Sequence, residues 1–268
     1  MKNTIAFPGL GLGPFTIRED FSFFGLKIHW YGILIALGVV LAYFFCRKKA
    51  KSRGITDDTL LDIILYGLPA AIVCARLYYV VFSWADYKDD FLSVFKVWEG
   101  GLAIYGGIIG ACISTAVYCR IKKLPLAKVL DIGAFGLLIG QIVGRWGNFV
   151  NAEAYGSLTE SALLRMELLD KAITVHPTFL YESLWNVFVL AFLHVYEKKQ
   201  AFCGEIFLGY ISCYGIGRFF IEGMRQDSLW LGAVRISQCV AFACTIVGIC
   251  LIVYGRLRER KTIKSERV

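Results

Sequence analysis

Seven long apolar runs separated by short charged loops leave this chain little choice of fold. They lie near residues 29–46, 59–82, 102–119, 128–146, 178–196, 204–222 and 230–255. A helix that crosses the hydrocarbon core of a bilayer needs roughly 20 mostly apolar residues. In lipid the backbone must satisfy its own hydrogen bonds, so such runs become helices. Composition agrees: 57% of the chain is apolar and the mean hydropathy is +0.59, against about 45–50% apolar for a soluble domain. No tandem repeat or low-complexity linker breaks the 268 residues. The expectation is an all-α polytopic membrane protein, one membrane-embedded domain over 1–268, with seven transmembrane helices.

The placement of Lys and Arg predicts the orientation. Arg47, Lys48, Lys49, Lys51 and Arg53 crowd the first loop; Arg120, Lys122, Lys123 and Lys128 the third; Lys198 and Lys199 the fifth; and Arg256, Arg258, Arg260, Lys261, Lys264 and Arg267 the tail. The alternate loops are mixed or acidic, as at Asp86, Asp89, Asp90 and Glu99. This predicts an N-terminus outside and a cytoplasmic C-terminus, which seven spans also require. The outer side then receives an N-terminal arm expected at the membrane interface, the 83–101 loop and a large loop over 147–177. The formal net charge of +8 is a topology signal here, and no nucleic-acid partner is expected. Residues 1–28 include Glu19 and Asp20 and lack the apolar core of a cleavable signal peptide. The first long run is therefore expected to direct insertion itself.

Nine cysteines, nearly all inside apolar runs, show no CxxC or Cys/His metal spacing and read as small apolar residues. Gly106 and Gly110, and Gly136, Gly140 and Gly144, form small-xxx-small series, which allow close helix approach in lipid.

Polar chemistry gathers at the outer ends of the helices. Arg145 ends the fourth run and opens the stretch G-R-W-G-N-F-V-N-A-E-A-Y-G, with Gly147, Asn148, Asn151, Glu153 and Gly156. An arginine within a span costs roughly 2.5–3.5 kcal/mol, so it marks a partner or a pathway; near a helix end it can also snorkel to the surface. On the sixth run Tyr214, Arg218 and Glu222 stand at i, i+4 and i+8, with Arg225 beyond. That spacing puts them on one helical face. An Arg218–Glu222 pair that only joins helices is the alternative. Further outer-side candidates are His29, Tyr31, Arg76, Tyr105, and His176-Pro177 with Tyr181 and Glu182. Two arginines at one membrane face suit a phosphate, because guanidinium binds its oxygens in a bidentate way and stays charged where water is scarce. No P-loop, G-x-S-x-G elbow or Mg²⁺-type carboxylate cluster is present, so neither metal nor cofactor is expected.

At these residues the sequence resembles the prolipoprotein diacylglyceryl transferases. The stretch from Gly144 to Gly156 carries the resemblance. W-Y-G at Trp30–Gly32, W-E-G-G at Trp98–Gly101, His176-Pro177 with Tyr181-Glu182, and Y-G-x-x-R at Tyr214–Arg218 extend it over residues 20–255. The resemblance implies an enzyme of the bacterial cell membrane. It would transfer diacylglycerol from phosphatidylglycerol to the lipobox cysteine thiol of a preprolipoprotein signal peptide, and glycerol phosphate would leave. It also implies site residues: Arg145, Asn148, Glu153, Tyr31 and Gly156 for phosphatidylglycerol, and Arg218, Tyr105 and Tyr214 for catalysis. Many members carry His-Gly-Gly where this chain has Tyr105-Gly106-Gly107, so a histidine base is absent at that position.

The chemistry fits the residues. The thiolate, not the thiol, is the nucleophile, and a cationic pocket favours it. Negative charge grows on the departing phosphate, where fixed arginines stabilise the transition state more than the ground state. A transporter or lipid flippase is the competing reading, since charges inside spans occur there as well. A structural membrane subunit is a third. Paired repeats and interrupted helices at mid-membrane would favour a transporter, and neither is evident.

Overall fold

The computed structural model describes residues 2–24, 26–88, 90–226, 230–231 and 234–265; Asp89 and Arg267 lie outside them. The described residues are mostly helical, with seven long helices: α1 Trp30–Ser52, α2 Asp57–Phe82, α3 Ile104–Ile121, α4 Leu126–Val150, α5 Thr178–Tyr196, α6 Glu205–Gly223 and α7 Ile236–Ser265. Six of them are long and apolar enough to cross a membrane. The other, α6, carries Glu205, Arg218 and Glu222, and those charges lower its hydropathy. Its length and place in the fold match the other helices, and its polar residues are buried rather than exposed to solvent.

The chain forms two compact units, residues 47–129 and the remainder. In the smaller unit α2 and α3 pack through glycines. A Cβ on Gly106 would collide with the Cys74 carbonyl, and one on Gly110 would lie 2.5 Å from the Ala70 carbonyl. The packing role expected of this pair therefore holds. Thr56 caps α2 by accepting from the Thr59 amide at 3.2 Å. Arg76, 5% exposed, gathers the loop after α2. Its Nε donates to the Val94 carbonyl at 2.9 Å, and its terminal nitrogens to Ser93 and Gly100, both at 2.7 Å, and to Gly101 at 3.1 Å. The Tyr87 ring lies 5.0 Å beneath it. Arg76 is thus a clamp on four loop carbonyls, not a free cation.

The larger unit holds α5 to α7, most of α1 and α4, and a sheet that the helical expectation did not include. Strand β1 (Lys2–Phe7) pairs with β2 (Leu12–Arg18) and, across more than 160 residues, with β5 (Met166–Leu168), which pairs with β6 (Ile173–Val175). A separate hairpin of β3 (Asp20–Phe23) and β4 (Leu26–His29) leads into α1. Lys27 lies 2.8 Å from Asp20 there and holds that carboxyl below the usual carboxylate range. Beneath the four-stranded sheet, Ile5, Phe7, Met166, Leu168 and Val175 bury against Ala152 and Phe179, with Phe149 and Tyr155 at the edge. This small core joins the sheet to the end of α4 and the start of α5. At the other end of the unit, buried Asp131 accepts from the Gly204 and Phe207 amides at 2.8 and 3.0 Å, and so satisfies the first turn of α6.

Candidate active site

The polar residues collect where α4 ends and α5 begins. Sequence analysis placed Gly147 and Asn148 in the loop after Arg145, but the helix continues to Val150. Arg145 and Asn148 therefore share a face at i, i+3. Arg145 donates to Asn148 Oδ1 at 3.2 Å, and Asn148 Nδ2 donates to Glu153 Oε1 at 2.9 Å. Past the helix the backbone turns sharply. Ala152 and Ala154, on either side of Glu153, both take left-handed conformations, φ 48° and 54°, which residues with a Cβ seldom adopt. The Glu153 amide donates to the Asn148 carbonyl at 3.1 Å, and Ala152 is sunk in the core under the sheet. The loop is thus fixed from both sides, and Glu153 is returned towards the helix it has left.

Two glycines of this stretch have steric reasons. A Cβ on Gly147 would collide with the Tyr31 ring, which brings the start of α1 against the site. A Cβ on Gly156 would lie 2.7 Å from the His176 Cβ. The Gly156 amide donates to the His176 carbonyl at 2.9 Å, and His176 returns its amide to Ser157. His176 in turn lies 3.1 Å from the Tyr181 hydroxyl through Nδ1. The expected site residue Gly156 acts here by close backbone approach.

Glu182 is the centre of the cluster. It sits one turn inside α5, 3% exposed. Arg145 reaches its Oε2 at 2.6 Å and Arg218 its Oε1 at 2.9 Å, with Arg225 3.8 Å away. Arg218 also pairs with Glu222, four residues on, and Arg235 donates to the Glu222 carbonyl. A helix-joining Arg218–Glu222 pair is present, then, but as one part of a larger network. Tyr214, one turn before Arg218, stacks on Tyr210 at 5.8 Å. Arg145, Arg218, Arg225 and Arg235 face Glu153, Glu182 and Glu222, an excess of one positive charge in a largely buried setting. A buried carboxylate between guanidiniums holds them in place, while each guanidinium keeps donors for a further acceptor.

The structure thus brings together Arg145, Asn148, Glu153, Tyr31, Gly156, Arg218 and Tyr214. Tyr105 lies in the first turn of α3, in the other unit. Sequence reasoning underrated Glu182. Its signal was a carboxylate within an apolar run, beside His176-Pro177 and Tyr181. Among the described residues no group of His, Cys, Asp and Glu is arranged to hold a metal.

Apolar helices around a buried arginine–carboxylate network at one end define a polytopic membrane protein. Comparison with known proteins gives the rest. Residues 19–254 match the family described as prolipoprotein diacylglyceryl transferase. The phosphatidylglycerol–prolipoprotein diacylglyceryl transferase of Finegoldia magna is 47% identical over 93% of this chain and 98% of its own length. Those of Lysinibacillus sphaericus and Clostridioides difficile are each 40% identical, over 98% and 93% of this chain and 95% and 99% of theirs. The chain belongs to the prolipoprotein diacylglyceryl transferase family. It is a transferase and a multi-pass protein of the bacterial cell membrane.

Proposed function

We propose that the protein moves diacylglycerol from phosphatidylglycerol to the lipobox cysteine of a preprolipoprotein, with Arg145 and Arg218 holding the phosphate. The observation that carries this reading is their convergence on Glu182 from two different helices. Glu182 fixes both guanidiniums and leaves their remaining donors for the headgroup. Asn148 and Glu153 extend the polar wall, with Tyr31 over Gly147, and suit the hydroxyls of the headgroup glycerol. Tyr214 lines the site one turn deeper, and Tyr105 orients headgroup or thiol by a hydrogen bond.

The thiolate sulfur attacks the diacylglycerol carbon bonded to the phosphate oxygen. A carbon–sulfur bond forms, the carbon–oxygen bond breaks, and its electron pair leaves with glycerol phosphate. The arginines neutralise the charge that grows on that oxygen, where they are worth most to the rate. Water or the leaving phosphate, whose second pKa is about 6, takes the thiol proton. The basic-loop pattern predicts this end of the protein, and the 147–177 loop, at the outer face.

The test is incubation of the purified protein with phosphatidylglycerol and a lipobox peptide, read by mass. A thioether-linked diacylglyceryl peptide supports the reading; lipid movement without peptide modification would support a flippase instead. Thiol labelling from outside, in a cysteine-free background, checks the orientation. A cysteine placed in 157–172 should react and one in 48–53 should not.

A further inference from the structure

Below the charged network lies a second, uncharged polar layer, of which the reaction as described uses only Tyr214. Each helix of the network repeats one pattern. Gln141 stands one turn before Arg145 on α4, Asn186 one turn after Glu182 on α5, and Tyr214 one turn before Arg218 on α6. The helix α5 runs antiparallel to both neighbours. Ser183 donates to the Ile142 carbonyl at 3.2 Å and Trp185 to the Cys213 carbonyl at 2.9 Å. The three residues therefore share one level, about 6 Å deeper than the charged ones.

The layer has unused hydrogen-bonding capacity. Asn186 is 1% exposed, and neither its amide nitrogen nor its amide oxygen has a partner. Gln141 bonds the Tyr210 hydroxyl at 2.8 Å, while its other amide atom is buried and unpartnered. Turning the Gln141 amide keeps that bond, with the tyrosine as donor, and frees an N–H₂. Buried amides without partners cost stability and call for an explanation.

We propose that this layer is the subsite for the ester linkages of the lipid, with the Asn186 amide donating to an ester carbonyl while the phosphate lies on Arg145 and Arg218. This rests on the phosphate assignment above. The donor lipid presents its groups in a fixed order from the surface inward: an anionic phosphate, then uncharged ester carbonyls, then acyl chains. The protein presents Arg145 and Arg218, then the amides of Gln141 and Asn186, then the apolar turns of α4 and α5 at Leu138 and Val189. A carbonyl is an acceptor only and suits an N–H₂. Two esters meet two primary amides. A site built to hydrogen-bond a substrate group rejects an analogue that lacks it, because the protein's own buried group is then left unpaired.

The experiment compares phosphatidylglycerol with its dialkyl-ether analogue, which keeps the phosphate but has no carbonyls, on the wild type and Asn186→Leu. The wild type is expected to prefer the diester by about tenfold or more in kcat/KM, mainly through KM. Asn186→Leu should lose that factor on the diester, change little on the diether, and bring the preference close to one. Equal use of both lipids by the wild type overturns the proposal, as expected if the amides hold only buried water. An equal loss on both lipids in Asn186→Leu, with the preference intact, overturns it too and makes Asn186 structural. If Asn186→Leu does not fold, Asn186→Ala takes its place, and the wild-type preference decides independently. Binding of the two lipids, measured without peptide, reads the same preference without turnover. Failure of the transferase reading would thus show as absent product beside intact discrimination.

Discussion

Arg145 and Arg218 approach opposite oxygens of one buried carboxylate, Glu182 Oε2 at 2.6 Å and Oε1 at 2.9 Å. Neither arginine is free to follow a ligand, so their spacing is a property of the protein. Lys lacks the planar fork that makes two parallel bonds. We expect Arg145→Lys and Arg218→Lys to lose activity nearly as severely as the alanine variants, while all four still insert. A lost hydrogen bond to a charged group costs roughly 1.5–3 kcal/mol, or tenfold or more in rate. Near-normal transfer by any of the four would remove the phosphate clamp.

Glu182 is a positioning residue. Glu182→Ala would leave buried arginines uncompensated and should destabilise by about 3–5 kcal/mol. Glu182→Gln keeps the shape but weakens the hold on both guanidiniums. It should unfold at a lower temperature than the wild type in detergent and show a raised KM for phosphatidylglycerol. Unchanged melting and KM in Glu182→Gln would mean that the arginines are fixed by something else.

The glycines make a graded set. Gly156→Ala would push the loop from His176, and Gly147→Ala would strike the Tyr31 ring; both should lose activity. Gly140→Ala meets open space and should stabilise slightly, by about 0.4–1 kcal/mol. Activity and melting temperature of the three variants, compared side by side, check the steric account.

Arg76→Gln should release the loop that its guanidinium gathers. Limited proteolysis within residues 90–100 should accelerate severalfold with the helices still intact. A cleavage rate equal to the wild type would show that the four carbonyl contacts do not order the loop.

For Tyr105, an orienting role predicts that Tyr105→Phe loses less than about a hundredfold in rate, since general-base catalysis is typically worth 10²–10⁴. Tyr105→His should remain active. The rate–pH profiles of both variants decide: a phenylalanine variant as inactive as Arg218→Ala, though folded and lipid-binding, would assign Tyr105 to proton transfer.

Six of the seven helices were legible from hydrophobic length, and α6 despite its charges. Their ends fell within a few residues except at the start of the seventh run, where Trp230–Leu231 and Val234–Arg235 pair as strands and α7 begins only at Ile236, and where polar side chains continue a helix. Gly147 and Asn148 read as loop for that reason, although α4 carries them. The stripe of Tyr214, Arg218 and Glu222 was visible from spacing, because all three lie on one helix. The role of Glu182 was not, since its partners come from α4 and α6 and sequence distance hides them. The sheet was missed because its strands are short and β1 pairs with β5 far along the chain. No local pattern announces such a pairing.

That pairing sets an order of events during synthesis. The strand Lys2–Phe7 has one partner at once in Leu12–Arg18 but must wait for Met166–Leu168 until four long helices have been made. Until then Ile5 and Phe7 have no core to enter, and the turn around Glu153 has nothing to rest on. The site is therefore assembled late, by the meeting of two segments made more than 160 residues apart. A nascent chain that stops before residue 166 would hold Arg145, Asn148 and Glu153 without the frame that gives them their geometry.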